Sequence, residues 1–425
     1  MKGSRIALTS RSDLLFVIFI YLSIFINSYI FFKEPFEFYF GYTVFLVLLP
    51  VFFFRHPVNK PLLGTFLILL VIGLLNVFVN NSTYELFFKV YTGLMLSYFF
   101  YYYVIVEYSY NIELLFYWYL KGCYLAALIA LGQFISFLVG FQYGYDFGYI
   151  LNKWSFSPGG IFGLRLNGIF AEPTHLASVL SPAFFIAVYN MLRKETTYLN
   201  RFQSWIIIIV YVLSFSGLGQ TGIFITFVLL AVSFGLFRYF IVFVPLLIAL
   251  FSILYFNVKD FQERYDSLIA LFSGEEFKLG ETHGSSFILY NNYHVTSENF
   301  KNNYLFGSGI GSHPVAFEKY SLAKGIKTYG FNLNGADANS MFLRLISETG
   351  IFGTGIFIFL VFKCYVRRNE ENETDHWLIS NSILVMILLN LFRQGHYFLN
   401  GFPFFVLLYI YNWLDYTGQD AQNEP

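Results

Sequence analysis

Arg165 and Glu172 lie in the stretch RLNGIFAEPTHLASVL, residues 165–180, at the edge of a long apolar run. Pro173 suits the first turn of a helix, where its missing N–H would have no intrahelical partner anyway. Glu172 is then placed where the helix dipole favours a carboxylate. Gly168 allows a bend between the two charges. Read locally, this is a capped helix with an interfacial arginine. A second group lies in DANSMFLRLISETGIFGTG, residues 337–355, where Arg344 and Glu348 share one helical face. Asp337 precedes them. Their neighbours Met341, Phe342, Leu343, Leu345 and Ile346 are apolar, so the pair is more than a solvated ion pair. A third group, FRQGHYFLNG at residues 392–401, carries Arg393 and His396, which could simply anchor a helix end at an interface. The fourth, FGSGIGSHPVAFEKY at residues 306–320, sets His313 in a glycine-rich loop whose backbone could approach a ligand. Arginine forks match phosphate oxygens, and carboxylates and imidazoles move protons, so the four groups together point to chemistry on a phosphorylated substrate.

Positioning these residues falls to apolar helices. The chain has 425 residues, of which 57% are hydrophobic, 22% aromatic and only 12% charged. A soluble domain carries about a quarter of its residues as charges. Apolar runs predict spans near 14–32, 36–54, 62–79, 86–106, 113–139, 174–192, 203–216, 218–237, 239–257, 339–362, 377–393 and 402–416. The fold class expected is therefore an all-α polytopic membrane protein with about 12 transmembrane helices and one large extracytoplasmic loop. The spans 203–216 and 218–237 abut at Gly217-Leu218-Gly219 and suit a tight hairpin. Lys2, Arg5, Arg11, Arg55, Lys60, Arg193, Lys194, Arg201, Arg238, Lys363, Arg367 and Arg368 fall in one set of short loops. By the positive-inside rule that set is cytoplasmic, as are both termini, with DYTGQDAQNEP a short solvated tail. Four regions follow: helices over 1–140, an external segment and central helices over 141–257, the external loop 258–338, and helices with a tail over 339–425. All four charged groups then lie at the external ends of helices. Cys123 and Cys364 are expected as buried thiols, and Tyr143, Tyr145, Tyr149 and Trp154 as sugar-stacking or interfacial rings. The zero net charge gives no field for nucleic acid. There is no HExxH or other metal-ligand spacing and no Walker A sequence.

The order of these motifs resembles the bacterial O-antigen and capsular polysaccharide polymerase family, which is related to the O-antigen ligases. Arg165, Gly168, Glu172 and Pro173 look like the Arg–Gly–Glu-Pro motif of exopolysaccharide polymerases. The stretch VLSFSGLGQTGIF resembles the helix start that opens the shared polymerase and ligase domain. FGSGIGSH followed by Glu348, Gly350, Ile351 and Gly353 resembles its second half. The resemblance spans about residues 160–400. One departure is that Ala338 stands before Asn339, where many ligases have histidine.

The resemblance implies a GT-C-like glycosyltransferase at the external face of the bacterial inner membrane. Its partners would be the bilayer and an undecaprenyl-diphosphate-linked donor and acceptor, with a chain-length regulator and a flippase beside it. Arg165, Arg344 and Arg393, with Glu348 and Asp337, would bind the diphosphate. Glu172 is the first choice of base, and His313 or His396 the second. No metal or other cofactor is expected if arginines carry the charge. An O-antigen ligase is the alternative, and a lipid-linked oligosaccharide flippase a more distant one. A flippase has no need of an external loop of about 80 residues, and a secondary transporter should show two similar halves, which the sequence lacks.

Overall fold

Runs of apolar residues without interior backbone partners other than their own can cross lipid only as helices, because each N–H must be satisfied within the segment. The computed structural model follows that logic. It describes residues 18, 20–34, 37–236, 240–257, 259–274, 282–323, 333–369 and 375–423, and among them all regular structure is helical. In chain order the principal helices are α1 (Phe40–Arg55), α2 (Lys60–Phe78), α3 (Tyr84–Glu107), α4 (Ile112–Leu138), α5 (Pro173–Arg193), α6 (Arg201–Leu213) and α7 (Gly217–Ser233). Then come α8 (Phe240–Asn257), α9 (Lys259–Phe272), α10 (Gly284–Asn302), α11 (His313–Tyr320), α12 (Met341–Lys363), α13 (His376–Arg393) and α14 (Phe402–Asn423). Five of them, α2, α4, α5, α12 and α13, are long and apolar enough to cross a membrane. A helix falls on every stretch expected from residue 36 onward. Of the expected first span, the described part is helical over 20–25. Lys2, Arg5, Arg11 and Arg238, which served the reading of sidedness, lie outside the described residues.

The helices divide into an inner and an outer set. Within the apolar window of each, 83% of α5 and 78% of α13 are buried, against 17% of α2. Helix α5 is lined by small residues, Ala177, Ser178, Ser181, Ala183 and Ala187, all buried. Small side chains let neighbouring backbones approach closely, the main source of packing energy where there is no water to expel. Against it lie α6, α7 and α13, and α14 packs on α13. Asn390 of α13 donates to Ser178 (3.4 Å), while Asn190 ties the α5 C-terminus to the carbonyls of Thr197 (2.9 Å) and Leu199 (3.0 Å). On α2, Leu67, Ile68, Val71, Ile72 and Leu75 are all exposed. An apolar face of that length suits hydrocarbon and not water. Cys123 and Cys364 are free and buried, as expected.

Three features go beyond what the sequence shows. The segment 258–338 carries the helices α9, α10 and α11; residues 258, 275–281 and 324–332 lie outside the described residues. Short polar helices of this kind lack the long apolar run that marks a span. The tail is helical, because α14 continues to Asn423. Finally, α6 and α7 meet end to end around Ser214–Ser216, and both pack on α5.

The glycine-rich segment 306–311 has a structural use. Helix α12 is interrupted at Gly350, whose φ of 60° and ψ of −161° no side chain tolerates well. The segment enters this break: Ile351 N donates to the Tyr304 carbonyl (2.9 Å), and Gly309 N donates to the Glu348 carbonyl (2.9 Å). A Cβ on Gly307 would lie 2.3 Å from the Glu348 backbone, and one on Gly350 would lie 2.5 Å from the Leu305 carbonyl. These glycines therefore admit backbone against backbone, where the sequence suggested backbone against ligand. Gly350→Ala is expected to destabilise the protein by at least about 1–3 kcal/mol, the usual cost of such a conformation. A thermal unfolding midpoint in detergent unchanged from wild type would contradict that.

Candidate functional site

The ends of the helices enclose a cavity of about 740 Å³. Tyr39, Lys153, Arg165, Glu172, His175, Arg264, Asp337, Arg393 and His396 all line it, together with Gly217 and apolar side chains such as Phe287 and Leu399. Stretches remote in sequence thus meet at one end of the bundle. Of the residues singled out from the sequence, Arg165, Glu172, Asp337, Arg393 and His396 are brought together here.

The segment 165–172 is held by buried amides. Gln133 of α4 accepts from Gly168 N (2.8 Å) and donates to the Asn167 side chain (3.0 Å). Asn167 in turn donates to the carbonyls of Ser155 (3.1 Å) and Phe170 (3.0 Å). The Trp154 indole donates to the Gly168 carbonyl (2.8 Å). Trp154 is thus a buried brace and not a sugar platform. Tyr143 and Tyr149 are exposed and pack on each other, Tyr145 packs on Phe137, and none of them lines the cavity. Gln133 and Asn167 were not apparent from sequence, since a lone amide in apolar surroundings carries no pattern. Glu172 is the residue preceding the first turn of α5. Its side chain does not cap the helix; it accepts from Thr174 (3.1 Å) and is exposed. The carboxylate is therefore not committed to the helix end.

At one side of the cavity two guanidiniums sit over a helix N-terminus, with a third, Arg165, within electrostatic reach. A Cβ on Gly217, the first residue of α7, would lie 3.2 Å from Arg264 Nη1 and 3.5 Å from Arg393 Nη1. Arg264 and Arg165 are close enough to act electrostatically on Arg393. Arg393 makes no hydrogen bond or ion pair among the described residues. The unbonded N–H groups of a helix start add partial positive charge to the same place. Like charges do not assemble around a cavity without cost, and an anion with several oxygens relieves that cost. Arg264 was not anticipated, because it sits in a segment read as loop; the helical character of 259–272 was the signal that could have found it.

The other side holds proton-carrying groups. His396 Nε2 lies 3.0 Å from Asp337 Oδ2, and Asp337 Oδ1 accepts from Asn339 N (3.0 Å). Burial works against the ionised form of Asp337, yet His396, the Asn339 N–H and the charge of Arg344 outweigh it and hold the carboxyl down at about 2. Lys153 is bonded to both Glu37 and Tyr39. His175, from the first turn of α5, completes this side.

Arg344, Glu348 and His313 do not line the cavity. Arg344 is 4% exposed; its Nε donates to Glu348 Oε1 (3.0 Å) and its Nη1 to the Gly395 carbonyl (2.9 Å). Its guanidinium carbon lies 4.4 Å from the centre of the Tyr397 ring, whose hydroxyl donates to Glu348 Oε2 (3.0 Å). These groups are committed to one another, which leaves no donor fork for a diphosphate. The same holds for His313 as a base. Burial, and then the charge of Arg344, holds it down at about 3. Asn292, whose amide donates elsewhere, takes the Nε2 hydrogen through its oxygen (3.1 Å), so Nδ1 accepts from Ser347 (3.2 Å). A neutral imidazole with both nitrogens occupied moves no proton.

No family model matches the chain, and no curated protein matches it. A functional reading of the cavity rests on its own geometry and on the motif order.

Proposed function

We propose that this chain is a membrane glycosyltransferase that polymerises lipid-linked oligosaccharide repeats, of O-antigen or capsule type, at the external face of a bacterial inner membrane. The observation that carries the reading is the pair Arg264 and Arg393 at the α7 N-terminus, with Arg165 within electrostatic reach, lining one cavity together with a histidine–carboxylate pair. A cationic cluster and a proton acceptor side by side are what transfer from a glycosyl diphosphate requires. The donor is a growing glycan on undecaprenyl diphosphate, and the acceptor a single lipid-linked repeat. The arginines stabilise the leaving diphosphate as the anomeric C–O bond breaks. Glu172 borders both substrates. On this reading about twelve helices cross the bilayer in a GT-C-like arrangement, both termini are cytoplasmic, and a flippase and a chain-length regulator act beside the enzyme.

Deletion of the gene is expected to leave single repeat units on the surface carrier, resolved by size on a gel, with the ladder restored by the wild-type gene. Long polymer stranded on undecaprenyl diphosphate would make the protein a ligase. Single units retained inside the cell would make it a flippase.

A further inference from the structure

Resting on that reading, we infer that His396, oriented by Asp337, is the base that takes the proton of the acceptor hydroxyl, and that the buried Arg344–Glu348–Tyr397 group exists to hold this pair in place. With Nε2–H donated to the Asp337 carboxylate, the remaining lone pair of the ring is on Nδ1. Nδ1 makes no hydrogen bond among the described residues, and the ring is a third exposed in a residue that lines the cavity. A carboxylate that fixes one ring nitrogen and leaves the other open is the logic of other histidine–carboxylate catalysts, here with the two nitrogens exchanged.

The backbone around the pair is shaped for the contact. A Cβ on Gly395 would lie 1.5 Å from the Asp337 carbonyl oxygen, so the two strands of chain touch where only glycine fits. Ala338 and Asn339, directly after Asp337, both have positive φ, at 59° and 56°. Such conformations persist only where the surroundings impose them, and they concentrate at functional sites. Arg344 grips the Gly395 carbonyl from below, and Tyr397 is fixed to Glu348, so both neighbours of His396 are tied to α12. Glu37 and His175 both lie within electrostatic reach of His396.

In the reaction the acceptor oxygen gives its proton to Nδ1 and forms a bond to the anomeric carbon. The bond from that carbon to the diphosphate oxygen breaks, and its electron pair leaves on the diphosphate. No further reactant is needed.

The test uses full-length protein in detergent with lipid-linked repeats extracted from the deletion strain, and gel-resolved elongation as readout. His396→Ala is expected to lower kcat about 10²- to 10⁴-fold at unchanged KM for the extract, with partial rescue by added imidazole. Asp337→Asn is expected to lower kcat without such rescue. Elution and unfolding midpoint at wild-type values establish that each variant is folded, and His396→Asn, which keeps a donor to Asp337, serves where His396→Ala is not. Activity of a folded His396 variant within threefold of wild type would overturn the assignment and leave the polymerase reading standing. So would an effect confined to KM, which marks a binding role. Failure of wild type to elongate the extract would overturn both.

Discussion

Arg393→Ala is expected to abolish the polymer ladder in complementation, with a loss of elongation of about 10²- to 10³-fold in the purified protein, while leaving folding intact. The size follows from removing one preorganised charged donor from a leaving group in a partly closed site. The intact fold follows from what surrounds the side chain. Arg393 makes no ion pair among the described residues, and its charged neighbours Arg264 and Arg165 repel it. Truncation therefore relieves repulsion, and the unfolding midpoint should stay level or rise. A residue that matters structurally cannot behave this way. Arg393→Lys should recover only part of the activity, because an ammonium on a flexible stem lacks the planar fork that meets two phosphate oxygens at once. Inorganic pyrophosphate should raise the midpoint of wild type and not that of Arg393→Ala, since a ligand stabilises the state it binds. Activity in Arg393→Ala near that of wild type would remove the diphosphate site, and with it the proposed chemistry.

Much of the fold was legible because it rests on one strong signal. A long apolar run is hard to mistake, and each stretch expected beyond residue 36 holds a helix, five of them among the described residues long and apolar enough to cross a membrane. The segment 258–338 was harder for the opposite reason. Its helices α9 and α10 mix Arg264, Asn291, Asn292 and Asn299 with scattered apolar residues, and their amides bond to α12 and to neighbouring loops, partners invisible in the sequence. The site was read in part by the same rule that misread it elsewhere. Charges near membrane depth are costly, so Arg165, Glu172, Arg393 and Arg344 all stood out. What the rule does not separate is a charge facing a cavity from one neutralised inside the packing. Arg344 and Arg393 look alike in sequence, each at a helix end among apolar neighbours. Only the position of Glu348 one turn on, and of Gly395 and Tyr397 from another helix connection, makes one a brace and leaves the other open.

That distinction gives the second large effect. Glu348→Ala is expected to destabilise the protein by about 3–5 kcal/mol, the cost of leaving a buried charge without its partner. The loss is compound, because Glu348 accepts from Arg344 and Tyr397 and also lies 3.4 Å from His313 N. The connection carrying His396 would lose its anchor, so activity falls together with the unfolding midpoint. Arg344→Met combined with Glu348→Leu removes both charges and should recover much of the stability, since well-packed apolar replacements of a buried pair are often neutral or better. It should not recover activity, because the Gly395 carbonyl and the Tyr397 hydroxyl remain without partners and the histidine between them is no longer held. Were Arg344 a phosphate ligand, Arg344→Ala would resemble Arg393→Ala, with activity lost at an unchanged midpoint. As a brace it lowers both. Unfolding midpoints measured beside elongation rates for the two alanine variants therefore separate the arginines that meet the substrate from the one that holds the base.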